Sequence, residues 1–66
     1  MKVREVLVKY HQIVPFPWSD KKIKKAGLEP MELCREIGQE IGNCEDKDTP
    51  SAKAILDILK KLEVMP

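Results

Sequence analysis

Residues 19–42 read SDKKIKKAGLEPMELCREIGQEIG, and the start and stop signals inside that stretch decide the fold. Ser19 is a good N-cap, because its hydroxyl can accept from a free amide of the first helical turn. Trp18 before it and Ile23 at the fourth helical position have the spacing of a hydrophobic staple. Gly27 ends this first helix cheaply, since it reaches positive φ without a Cβ clash. Leu28 and Glu29 follow, and Pro30 opens the next helix where its missing N–H costs nothing. Leu28 and Leu33 repeat the staple spacing. In the second helix Leu33, Cys34, Ile37 and Ile41 fall in one narrow arc at about 100° per residue. Glu32, Arg35, Glu36, Gln39 and Glu40 fill the other face, and Gly42 and Asn43 end it. The spacing predicts helices over 20–26 and 30–42.

Working outward, residues 2–13 carry Val3, Val6, Leu7 and Tyr10 at helical spacing, with Ile13 expected on the same side. A strand over residues 5–14 is the competing reading, because Val6, Val8 and Tyr10 also alternate. Val14–Trp18 (VPFPW) cannot continue a regular element, since its two prolines force extended backbone. Either Phe16 and Trp18 close the end of a small core, or one of them anchors a partner. At the other end Thr49 caps and Pro50 starts a helix over 50–63. Its apolar positions, from Ala52 to Leu62, spread over roughly 160°, which suits a helix touched on two sides. It is expected to be the central helix or to pack partly on another molecule. The tail Val64–Met65–Pro66 is expected to fray. The fold class is all-α: one small four-helix domain over residues 1–66, with a helix-turn-helix-like centre.

A chain of 66 residues supplies a net stability of roughly 3–5 kcal/mol from one core. It must pack well or gain from a partner. The net charge of +1 conceals an asymmetry. Residues 1–28 hold seven Lys/Arg and two acids, residues 29–48 two basic and seven acidic residues, and residues 49–66 three and two. The opposed blocks could neutralise each other within one fold or pair between copies. Two cysteines, Cys34 and Cys44, are too few for a disulfide framework. No signal peptide or membrane span is visible. Cytoplasmic location with reduced thiols is the expectation.

The chain carries no catalytic signature. A nucleophile needs a base, and the one histidine, His11, has Cys34 as a partner only if their helices touch. Cys34, Cys44 and His11 lack the short chelating spacing of a metal site. Glu45, Asp46 and Asp48 miss the alternate-position register of a calcium loop. No glycine-rich phosphate loop is present. No enzyme activity, cofactor or metal is expected.

GLEPMELCREI, residues 27–37, resembles the turn and second helix of helix-turn-helix motifs, with Gly27 in the turn and Leu33 as an inward anchor. The resemblance implies DNA binding, with Lys21, Lys22, Lys24 and Lys25 touching phosphates. The chain departs from the pattern at Glu36, where an inward apolar residue is expected, and its would-be recognition helix exposes Glu32, Glu36 and Glu40. Phosphates repel such a face. The favoured expectation is therefore a non-enzymatic protein–protein interaction module. Its partner would be another protein or a second copy, met through Phe16, Trp18, Glu32, Arg35, Glu36, Gln39 and Glu40. Nucleic acid is the alternative partner, and no membrane is expected.

Overall fold

The computed structural model describes residues 1–64. They form four helices: α1 (Val3–His11), α2 (Asp20–Lys25), α3 (Pro30–Gly42) and α4 (Pro50–Val64), with no strand among the described residues. The domain is a small all-α one. The expected fraying of Met65 and Pro66 lies outside the described residues, while Val64 still belongs to α4.

Residues 5–11 are helical, so the competing strand is overturned. The start of α1 is held from a distance. The Val3 N–H donates to Asp46 Oδ1 at 2.9 Å, and the Glu45 N–H donates to the Met1 carbonyl at 3.1 Å. The acidic turn after α3 therefore caps α1, where an anion meets the positive end of the helix dipole. The helix also stops earlier than expected. The N–H groups of Ile13 and Val14 both return to the Tyr10 carbonyl, at 3.0 and 2.7 Å. That tightening turns the chain, and Ile13, expected on the apolar side, is 50% exposed.

The loop from Gln12 to Trp18 folds back over the core and contains a cis Phe16–Pro17 peptide. Val14 and Trp18 are buried, and the Trp18 indole N–H donates to the Val14 carbonyl at 3.0 Å. Buried tryptophan needs such a partner for its one polar atom. Phe16 meets Trp18 edge-on, with ring centroids 5.2 Å apart at 85°. The two aromatics therefore differ: Trp18 is a lid on the core, and only Phe16 reaches solvent.

Ser19 caps α2 by accepting from the Lys22 N–H at 3.2 Å. The helix ends in a Schellman turn. Gly27, at φ 81°, donates to the Lys24 carbonyl at 2.9 Å, and Leu28 donates to the Ile23 carbonyl at 3.2 Å. Leu28 and Ile23 join the core beneath it. Thr49 caps α4 by accepting from the Ala52 N–H at 3.3 Å.

The central helix is α3, not α4. α1, α2 and α4 all pack on it, α4 most extensively. It buries Pro30, Leu33, Cys34, Ile37 and Ile41. On α4 only Ala52, Ile55 and Leu59 are buried, while Leu56, Ile58 and Leu62 are half-covered. The wide apolar face of α4 is a narrow buried strip with partly wet shoulders.

Candidate functional site

The acidic face of α3 divides into free and engaged residues. Glu32, Glu36 and Gln39 are exposed. Arg35, also exposed, donates through Nε to Glu63 Oε1 of α4 at 2.9 Å. Glu40 was expected to point outward with Glu32 and Glu36, and it does not. It is half-buried and accepts from Lys9 Nζ of α1 at 2.8 Å. The opposed charge blocks thus neutralise each other partly within the fold, through Lys9–Glu40 and through Lys2–Glu45 at 3.2 Å.

Lys9 holds the Glu40 carboxyl below the usual carboxylate range, with Tyr10 adding to the effect and burial opposing it. The same hydrogen bond raises Lys9, against a smaller loss from burial. Tyr10 beside them is pushed well above its ordinary value, mainly by burial, then by the neighbouring carboxylates of Glu40 and Glu36. Yet Tyr10 Oη and Glu40 Oε2 are both enclosed without a hydrogen bond of acceptable geometry. The cluster joins α1 to α3; its phenol is held neutral and is no base.

α1 and α3 do touch, but among the described residues no hydrogen bond joins His11 to either thiol. Cys34 and Cys44 are buried free thiols, both raised by burial first and by nearby carboxylates. A raised thiol is a poor thiolate source. His11 is exposed, and its Nδ1 accepts from the Phe16 N–H at 3.4 Å. Among the described residues no group of three His, Cys, Asp or Glu side chains could hold a metal. No helix among them is long and apolar enough to cross a membrane.

On α2 all four lysines are exposed, and Lys24 pairs with Asp20 at 3.3 Å. Lys21, Lys22 and Lys25 form no ion pair among the described residues. They stand at the helix's outer side, because Ile23 turns inward.

A further surface lies along α1 and the loop. Arg4, Leu7, Val8, His11, Gln12 and Phe16 line an open concavity of about 440 Å³. Ile13, Pro15, Lys22, Lys25 and Ala26 line another of about 310 Å³. Val8 is 58% exposed and Phe16 39%. Sequence reasoning singled out Phe16 as a contact residue and His11 only as a possible base, and passed over Arg4, Val8 and Ile13 as surface residues. Val8 carried the available signal: it is an apolar residue well off the buried stripe of Val3, Val6 and Tyr10 on a short helix. No family model, no curated protein and no solved structure matches this chain.

Proposed function

We propose that this domain is a small non-enzymatic protein–protein interaction module, which joins another protein or a second copy of itself. One observation carries the reading: Val8, Ile13 and Phe16, half of the large apolar side chains left exposed among the described residues, belong to α1 and the adjoining loop rather than being scattered. Exposed apolar groups that line common concavities mark interaction surfaces more often than single exposed side chains do. The exposed acids Glu32 and Glu36 with Gln39 supply a polar ridge elsewhere on the domain. Arg35 and Glu40 are engaged within the fold, and Trp18 acts through Phe16 as its support.

Cross-linked capture from an extract of the source cells, with sedimentation velocity of the purified chain, tests this. The wild-type chain should capture a defined protein or self-associate at micromolar concentration. A Val8→Glu, Phe16→Ser variant with an unchanged helical circular dichroism spectrum should do neither. Identical capture by that variant overturns the reading.

The second reading is DNA binding through Lys21, Lys22 and Lys25, favoured by their exposure and by their forming no ion pair among the described residues. It predicts a shifted duplex whose affinity falls steeply with salt. No shift at low salt and micromolar protein removes it.

A further inference from the structure

We infer that the α1–loop edge docks an acidic segment of a partner protein, with apolar side chains seated in its two concavities and carboxylates meeting Arg4, Lys22 and Lys25. The inference rests on the interaction reading and adds the chemistry of the partner.

Both concavities have the same construction. The first is lined by the apolar Leu7, Val8 and Phe16 and by Arg4, His11 and Gln12. The second is lined by the apolar Ile13, Pro15 and Ala26 and by Lys22 and Lys25. No carboxylate lines either one. Four basic groups are answered inside the fold, Lys2 by Glu45, Lys9 by Glu40, Lys24 by Asp20 and Arg35 by Glu63. Of the cations without an ion pair among the described residues, Arg4, Lys22 and Lys25 are the ones that line these two concavities. Glu5, the nearest acid along α1, is turned back to accept from the Lys2 N–H at 3.2 Å. The edge therefore presents uncompensated positive charge around uncovered apolar surface. Complementary potential selects partners and speeds encounter, and seated apolar anchors slow dissociation.

Other occupants fit less well. Phosphates of a duplex would neutralise the rim but leave Val8, Ile13 and Phe16 uncovered. A lipid surface favours a continuous apolar face along an amphipathic helix, whereas on α1 Val8 is the exposed large apolar side chain and Ile13 and Phe16 belong to the loop. A second copy offers Glu32 and Glu36 on α3, but the exposed large apolar side chain beside them is Met31 alone, one anchor for two concavities.

Selection from a displayed library of random 16-residue peptides, followed by amide shift mapping of the full chain, tests the assignment. Enriched sequences should combine Asp or Glu with aromatic or aliphatic residues. They should shift the amides of Val8, His11, Ile13, Phe16 and Lys22. Arg4→Glu, Lys22→Glu and Lys25→Glu should each weaken binding about tenfold or more, since like charges then face each other. These side chains are exposed, so folding should persist; if a reversal unfolds the chain, Lys22→Gln with Lys25→Gln gives the same readout with a smaller loss. Enrichment of basic sequences that shift α3 amides overturns this inference and leaves the module reading intact. Absence of any enriched peptide, with these amides shifted only by phosphatidylserine vesicles or by a duplex, overturns both.

Discussion

At the α3–α4 seam Leu33, Cys34, Ile37, Ile55 and Leu59 are all buried, and Arg35 meets Glu63 across the rim at 2.9 Å. At the α1–loop edge Val8, Ile13 and Phe16 stand in solvent, and Arg4, Lys22 and Lys25 form no ion pair among the described residues. Both regions draw on aliphatic side chains and long cations. They differ in whether the fold supplies the complement. The seam buries its central side chains and leaves a shallow concavity of about 310 Å³ beside Leu56, whereas the edge leaves whole apolar side chains wet, at roughly 25 cal/mol per Å² forgone. A domain this small has little stability to spare, so the uncovered edge is where the proposed partner would add apolar burial.

The sharpest contrast lies inside the loop, between two aromatics in edge-on contact. Trp18→Ala should cost about 3–5 kcal/mol, comparable with the whole net stability of a domain of this size. It removes the lid and orphans the Val14 carbonyl. Phe16→Ala should cost only about 1 kcal/mol, mostly the aromatic pair, and leave a folded chain. Urea unfolding followed by circular dichroism measures both. If the two variants unfold at the same midpoint, Trp18 is not the lid.

Leu59→Ala tests the other side of the comparison. Leu59 is buried against α3, and its loss should cost about 2–5 kcal/mol and broaden or abolish the thermal transition. Val8→Ala on the edge should change stability by under about 0.5 kcal/mol, as surface substitutions do. A large loss at Val8 would mean that the edge is packed, and would sink its assignment as a docking surface.

The helix signals were legible where each lies within a few residues of what it controls. Ser19, Gly27, Pro30 and Thr49 act on their own turns, and each sits where local rules put it. Long-range effects were not legible. Nothing local tells that Tyr10's carbonyl takes two amides and throws Ile13 outward, or which of Phe16 and Trp18 faces the core. Width of the apolar stripe misled for α4, because partial burial of Leu56, Ile58 and Leu62 looks the same in sequence as full burial. Asp46 is the clearest case. Its acid looks like part of a solvated turn, yet it caps a helix that begins 43 positions earlier. Asp46→Ala should cost about 0.5–2 kcal/mol, the usual range for a lost cap. Faster amide exchange at Val3 than at Ile37 should accompany it. Unchanged exchange at Val3 would show that the first turn is held by other groups.

The smallest expected effect concerns the one place where edge and centre exchange charge, Lys9 to Glu40. Glu40 titrates below its ordinary range in the folded chain. The unfolded chain therefore takes up that proton first as the medium is acidified. The stabilisation is complete above the ordinary carboxylate range and is lost as pH falls through the lowered value. Lys9 and Tyr10 run the other way. Both are raised, so their contributions are complete below the unfolded values of 10.5 and 10.0 and are lost as pH rises toward the folded ones. Glu40→Gln should thus flatten the acid limb of the stability profile and part of the alkaline limb, whereas Tyr10→Phe should flatten mainly the alkaline limb and the acid limb only slightly, through its smaller effect on Glu40. Because the Tyr10 hydroxyl is enclosed without a partner, its removal should leave stability at neutral pH unchanged or slightly higher. Urea midpoints taken from about pH 3 to pH 11 separate the two variants. An acid limb that Glu40→Gln leaves untouched would mean that solvent screens the pair and that α1 is held to α3 by its apolar stripe alone.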